Sequence, residues 1–443
     1  MSEEFTRRDF MKKAAVGAVS AGIGLPAAGA QRPVAPSDKV IVGVIGTGRQ
    51  GRDDLSDFAK QPEVEIAAVC DVYQLNLDKG MALTDGRAQS YKDFRQVLDR
   101  KDIDVIIVGT PDHWHPYVMV EACKAGKHVY VEKPISHTID EGKLMVAAAR
   151  KYQRVVQVGT QQRSGIHFQK AVKLIQDGFI GKVSFVRTWN YSNDYPEGIG
   201  NPADSDPPET LDWDIWLGPA PKVPFNWNRF GVGDRWSTFR YFWDYAGGFM
   251  TDWGVHLIDI VQWAMQVDGP NVITAQGGKF YIQDNAETPD TFQVTYEYPG
   301  FICVYENRWC NGNSMYEKSY GMEFHGTDGT LFLDRQGFQV IPEHRLHDGK
   351  KTPQTAEVVM KSVNNSHFDH VRNFLDCVKS RQRPISDIEI GHRSTSACLL
   401  GNVAYRSKER VVWDVKSQSL ASGGARAQQY LVRDYRAPWK LSA

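Results

Sequence analysis

The sequence predicts an α/β fold in two parts: a doubly wound domain on a parallel sheet, then an α+β domain with an open, mostly antiparallel β-sheet. Three observations predict it. From Lys39 to about Gly159, short β-branched runs alternate with longer amphipathic stretches. Beyond Lys182 the strand-like runs lengthen and alternate apolar with polar residues. The chain has 443 residues, more than one hydrophobic core ordinarily holds, so two domains are expected.

Residues 40–45, 64–70, 105–108, 129–131 and 155–158 read as strands that are apolar along their whole length, the pattern of parallel strands covered on both faces. Amphipathic stretches at 116–125 and 140–151 supply covering helices, and a further helix is expected over 164–177. In 290–298, Phe292, Val294, Tyr296 and Tyr298 alternate with polar residues, which marks a strand with one packed face. Pro299-Gly300 signals a turn into the next strand, 301–309. Late helices are expected near 367–379 and 389–407, the first opened by the capping run Asn364-Asn365-Ser366. His367 and His370 belong to that helix start. The expected boundaries are 39–160 for the first domain and 161–414 for the second, with an arm at 31–38 and a linker-like tail at 415–443.

Composition excludes several classes. Apolar residues make up 42% and charged residues 24%, which is ordinary for a folded protein. Lys+Arg (52) and Asp+Glu (53) cancel, giving no electrostatic reason to expect nucleic acid or an anionic membrane surface as partner. Six scattered cysteines lack C-x-x-C spacing, and buried thiols are their simplest reading.

The N-terminus is set apart. Thr6-Arg7-Arg8-Asp9-Phe10-Met11-Lys12 precedes a mild apolar run that closes on Ala28-Gly29-Ala30. Residues 1–30 therefore read as a signal peptide, and the paired arginines resemble a twin-arginine signal. The run is too short and too rich in Gly and Ala to span a bilayer, and the mature chain offers no other candidate span. A periplasmic location through the twin-arginine route is expected.

Gly46-Thr47-Gly48-Arg49-Gln50-Gly51 follows the first strand and opens the first helix, and Asp71 ends the second strand. This is the dinucleotide-binding (Rossmann) arrangement. Its glycines admit a pyrophosphate to a helix N-terminus, while its acidic residue meets the adenosine ribose and repels a 2′-phosphate. The expected cofactor is NAD, with NADP less suited.

Three further motifs carry a resemblance: Gly109-Thr110-Pro111-Asp112-His113-Trp114-His115, Glu132-Lys133-Pro134, and the run from Gly247 to His256 that contains Asp252. Together they resemble the glucose–fructose oxidoreductase/inositol dehydrogenase (Gfo/Idh/MocA) family, over nearly the whole chain from Lys39 to Trp413. The resemblance implies Lys133 as catalytic lysine, Asp252 as substrate-binding or relay carboxylate, and His256 as general base. It places Thr110, Pro111, His115 and Glu132 beside the nicotinamide with Lys133. Gln161, Arg163 and Trp243 are substrate-side candidates. Asp252 and His256, four apart on a helix, would share one face. His113-x-His115 has the look of a metal pair, but no third ligand stands at diagnostic spacing, so no metal is expected.

Seven of the twelve tryptophans (Trp189, Trp213, Trp216, Trp227, Trp236, Trp243 and Trp253) fall between 189 and 253. They read as a structured loop suited to stacking on sugar rings, or equally as a large core or an oligomer interface. The function expected is NAD-dependent oxidation of a secondary alcohol of a sugar, cyclitol or derivative, with tightly bound cofactor, in a homo-oligomer. The alternatives are a redox-neutral glycosidase or epimerase using transient oxidation, and a non-catalytic NAD-bound sugar sensor.

Overall fold

Six parallel strands form the first sheet: β1 (Val40–Ile45), β2 (Val64–Cys70), β3 (Gln89–Tyr91), β4 (Val105–Val108), β5 (His128–Val131) and β6 (Val156–Val158). Their order is β3-β2-β1-β4-β5-β6, with the chain reversing direction across the sheet between β1 and β4. The computed structural model describes residues 39–231, 237–313, 315–422 and 424–443. The expected signal segment, the arm and Trp236 lie outside the described residues. Within β1, β4 and β5 nearly every side chain is buried, because helices cover both faces.

One covering helix comes from far along the chain. In Ser366–Ser380, Phe374 packs edge-on against Phe58 and Tyr130 at 6.0 and 5.9 Å between ring centres. Asn365 caps this helix, its side-chain oxygen accepting from the amides of His367 and Phe368.

The remaining strands are β7 (Val183–Tyr191), β8 (Val272–Gly278), β9 (Thr291–Tyr298), β10 (Phe301–Arg308), β11 (Tyr320–Gly326), β12 (Gly329–Asp334), β13 (Gly337–Pro342), β14 (His344–His347), β15 (Lys350–Pro353), β16 (Val358–Lys361), β17 (Val411–Asp414) and β18 (Ser419–Ser422). Ten of them make one open sheet, ordered β16-β13-β12-β11-β7-β10-β9-β8-β17-β18, while β14 and β15 form a separate ribbon. Every neighbouring pair in the open sheet is antiparallel except β7 with β10. In β9, Phe292, Val294, Tyr296 and Tyr298 all point inward, as the alternation requires. They pack with helices Gly254–Met265 and Ile388–Ser407. Fully burying such a side chain is worth roughly 1.5–3 kcal/mol, so this layer is a main source of stability.

Residues 415–443 are not the linker that sequence suggested. Trp439 packs on Trp114 and Tyr117, 4.8 and 5.2 Å between ring centres. Arg433 pairs with buried Glu141 at 2.6 Å, and the Tyr435 hydroxyl donates to the same Glu141 oxygen at 2.7 Å. The tail is thus fastened onto the helices that follow β4 and β5.

Candidate active site

A cavity of about 520 Å³ runs along the carboxyl ends of the parallel strands, where chain reversal opens a crevice. At one end lies the glycine loop. Gly46 has φ +87°, and a Cβ there would meet the Thr110 amide nitrogen at 2.6 Å. A Cβ on Gly51 would stand 1.9 Å from the Gly46 carbonyl oxygen, so helix and strand approach too closely for any side chain. Around Gly48, by contrast, nothing lies within 4 Å of a Cβ position, and that open side faces the cavity. No side chain caps the following helix, Arg49–Ala59, so its first amides are free to meet an anion. These features fit a dinucleotide pyrophosphate.

Arg49 and Gln50 line the cavity; Thr47 stands behind it as a brace. Asp71 Oδ2 accepts from the Thr47 amide at 2.8 Å and Oδ1 from the Tyr73 amide at 2.9 Å, and burial raises its pKa. Arg52, Lys79 and Lys92 line the same end.

At the other end Thr110, Pro111, Asp112, His115, Glu132 and Lys133 form the wall. Each ring nitrogen of His115 lies 2.7 Å from a backbone carbonyl, of Pro134 and of Thr110, and burial lowers its pKa to about 4. His113 is buried with Nε2 3.0 Å from the Trp216 carbonyl, so neither histidine is arranged as a metal ligand. Among the described residues, no cluster of three His, Cys, Asp or Glu side chains is placed to hold a metal.

Lys133 Nζ donates to Asp252 Oδ1 at 2.6 Å, and Arg240 Nε donates to the same oxygen at 3.0 Å. All three groups lie deep in the protein. Burial alone would raise the Asp252 pKa, but Lys133 and then Arg240 outweigh it and hold it at about 2. Two neighbouring carboxyls behave oppositely. Burial lifts Asp112 to about 7 against the pull of Arg240 and Lys133, and Asp112 Oδ2 has no partner. Burial likewise lifts Glu132 to about 7, although Lys133 lies beside it and Gln161 Nε2 donates to its Oε1 at 3.0 Å.

The helix expected to carry Asp252 and His256 is interrupted at Trp253, between Gly248–Asp252 and Gly254–Met265. His256 is buried, its Nδ1 has no partner, and its pKa lies well below the ordinary value. Burial is the first cause; the charges of Lys133 and Arg335 and the His367 ring add to it. The imidazole is therefore neutral near pH 7, the form that can accept a proton.

Two substrate-side expectations are corrected. Arg163 is locked in a buried bidentate pair with Asp259, at 2.7 and 2.9 Å, and does not line the cavity. Trp243 is also away from it: its indole N–H donates to the Glu287 carbonyl at 3.2 Å and Arg406 stacks on its ring. Gln161 serves as a support for Glu132. The tryptophan-rich segment divides between the readings offered for it. Trp216 lines the cavity but also anchors a small core with Phe225, Phe230 and Tyr245, and Trp213 stacks on it at 4.7 Å. Arg240 and Asp112 were not foreseen. Arg240 sits in that tryptophan-rich segment, where nothing in the local pattern marks it; Asp112 lies inside a quoted motif without a role.

Residues 40–160 match the family described as oxidoreductase, NAD-binding Rossmann fold, and residues 164–441 match the family's C-terminal α/β domain. The chain belongs to the Gfo/Idh/MocA oxidoreductase family. It is 33% identical over 143 residues to the uncharacterized oxidoreductase YrbE of Bacillus subtilis (strain 168), covering 32% of this chain and 42% of that protein. It is 30% identical over 204 residues to a glycosyl hydrolase family 109 protein of Shewanella baltica (strain OS185), covering 40% and 44%. The chain thus matches less than half the length of these curated relatives. In fold it is similar to levoglucosan dehydrogenase in complex with NADH and levoglucosan, with a TM-score of 0.64, 17% identity, and coverage of 84% of this chain and 99% of that one. No described helix is long and apolar enough to cross a membrane.

Proposed function

We propose that the protein is an exported NAD-dependent oxidoreductase acting on a secondary alcohol of a sugar, cyclitol or derivative. The observation that carries this reading is one continuous cavity with a dinucleotide loop at one end and Lys133, tied to Asp252, at the other. Gly46, Gly48, Gly51 and the first turn of the following helix would hold the pyrophosphate, and Asp71 would hold the ribose in preference to a 2′-phosphate. The nicotinamide, when bound, supplies a hydride acceptor for the alcohol carbon.

The remaining work belongs to side chains. Lys133 donates a hydrogen bond to the reacting oxygen and stabilises the charge it develops. His256, kept neutral by burial, accepts the hydroxyl proton. Asp252 holds Lys133 in place, and Arg240 keeps Asp252 ionised. Thr110 Oγ and Asp112 Oδ2, both buried without partners, offer hydrogen bonds to whatever fills the cavity.

A second reading, redox-neutral glycoside cleavage or epimerisation through transient oxidation, is supported by the similarity to a glycosyl hydrolase family 109 protein. It uses the same Lys133 and His256. The run Met250-Thr251-Asp252-Trp253, where the glycosidase branch carries a Tyr-Pro-Thr-His-like motif, favours the dehydrogenase. The presence of Lys133, Asp252 and His256 together disfavours a sensor. Export rests on Arg7-Arg8 and Ala28-Gly29-Ala30. The test is a panel of sugars and cyclitols added to the purified protein with NAD, read by nicotinamide absorbance. Reduction by one or more members supports the proposal. Sugar binding without reduction or turnover would replace it with the sensor.

A further inference from the structure

We infer that Arg335 anchors a carboxylate on the substrate, so that the alcohol oxidised beside Lys133 belongs to an acidic sugar rather than a neutral one. The inference deepens the proposed oxidoreductase reading and rests on it.

Two separate bridges fix Arg335 next to His256. Gln162, itself buried, accepts from Arg335 Nε at 3.1 Å and donates through its own Nε2 to the His256 carbonyl at 3.0 Å. The indole of Trp253 forms the second bridge, with the Arg335 guanidinium 4.9 Å above its ring and the His256 ring 6.3 Å away. The Tyr320 ring, itself packed on Trp253 at 4.7 Å, lies on the same side of the guanidinium at 5.9 Å. The plane of the guanidinium is thereby set by stacking and by the Nε bond, and among the described residues no hydrogen bond reaches its two terminal nitrogens. Among the described residues, no carboxylate lies within ion-pair distance of Arg335. The adjacent Asp334 is engaged by the Gln336 and Gly337 amides and by Lys318.

Arg335 is exposed just past the end of β12, and Asp252 and Glu132, the acids that act on it, do so only from a distance. Arg335 does not line the dinucleotide cavity, so the cofactor phosphates are not its partners. A planar, pre-oriented fork with two free donors matches a carboxylate bidentately. Its position beside His256 puts that carboxylate on the molecule whose hydroxyl His256 deprotonates. The local charge agrees: Lys133 and Arg240 share Asp252, and Arg335 adds a positive charge with no acidic partner among the described residues.

The test is calorimetric titration of the NADH-loaded protein with matched pairs, D-glucuronate against D-glucose and D-galacturonate against D-galactose. At least one acid should bind at least about tenfold tighter than its neutral partner. Arg335→Gln should erase that preference while leaving NADH affinity and melting temperature near wild type. Arg335→Lys, which keeps the charge but loses the fork, should retain only part of it. Equal binding within each pair, binding of neither, or an Arg335→Gln variant with the acid preference intact would overturn the inference. Turnover is measured separately. If neutral sugars are bound and oxidised, the oxidoreductase reading stands while the role of Arg335 falls. If no sugar of any kind is turned over, it is the oxidoreductase reading that falls.

Discussion

Lys133 Nζ and Asp252 Oδ1 stand 2.6 Å apart inside the protein, and the same oxygen also receives Arg240 Nε at 3.0 Å. One carboxylate thus serves two cations from different parts of the chain: the end of β5 and the tryptophan-rich segment. The arrangement predicts an asymmetry. Lys133→Met leaves Asp252 compensated by Arg240, so the fold and the NADH affinity should survive. Transition-state stabilisation should drop by about 3 kcal/mol or more, the scale for one donor to a developing oxyanion. Asp252→Asn instead leaves two buried cations facing each other and should cost roughly 3–5 kcal/mol in stability. Denaturant unfolding of both variants beside single-turnover rates checks this, and wild-type turnover in Lys133→Met would refute the assigned role.

Asp71 braces the glycine loop through the Thr47 amide and borders the cavity. Asp71→Ala should weaken NAD binding and shift the NAD/NADP preference toward NADP by more than tenfold, about 1.4 kcal/mol. Titration with both reduced cofactors measures the ratio. An unchanged ratio would mean that the ribose is read elsewhere along this end, where Arg49, Arg52, Lys79 and Lys92 also lie.

Burial lowers the pKa values of His115, His128, His137 and His392 to about 4 and of His370 to about 3, with His113 and His256 also well below the ordinary value. Unfolding frees these rings to titrate near about 6.5. Their contribution to stability is therefore complete above about pH 6.5 and lost as pH falls toward about 4. Asp112 and Glu132, raised to about 7, act in the opposite sense over the same window, and Asp54 and Asp71, raised by burial, act in that sense too. With His167 and His367, which burial also lowers, nine histidines outweigh four carboxyls, so the melting temperature should fall from pH 7 to pH 5. Asp112→Asn removes one opposing group and should make the fall steeper. A flat profile, or a gentler slope in the variant, would contradict this.

A protein exported after folding should leave the cytoplasm with its dinucleotide in place, because the periplasm is not expected to supply it. Protein purified from the periplasm, dialysed and then denatured, should release close to one nicotinamide dinucleotide per chain. Empty protein with an ordinary micromolar NAD requirement would contradict both tight retention and the reading of Arg7-Arg8.

Much of the frame was legible because it follows from short-range pattern. The buried strands around Val44, Ile107 and Val131, the glycine loop and the Asn365 cap are all written locally. β3 escaped notice: Gln89-Ser90-Tyr91 is an exposed edge with no apolar run. In sequence Trp439 looks like part of a linker because its partners Trp114 and Tyr117 lie far back in the chain. Arg163 and Arg335 show the same limit at the site. Position suggests Arg163, yet Asp259, on a helix nearly a hundred residues later, claims it; Arg335, exposed, is held beside His256 only because Gln162 and Trp253 meet it. Motif spacing marks what lies along a strand end, whereas side chains delivered across domains leave no local trace.

In the proposed reaction, hydride leaves a sugar carbon for the dinucleotide beside Lys133. The most direct measurement uses an accepted sugar carrying deuterium on the oxidised carbon, mixed with the NAD-loaded protein, with the cofactor then recovered and weighed by mass spectrometry. One deuterium is expected on the reduced nicotinamide in the wild type, and a strongly slowed transfer in Lys133→Met. An unlabelled and unreduced cofactor, from a protein that nonetheless binds or converts the sugar, would contradict it.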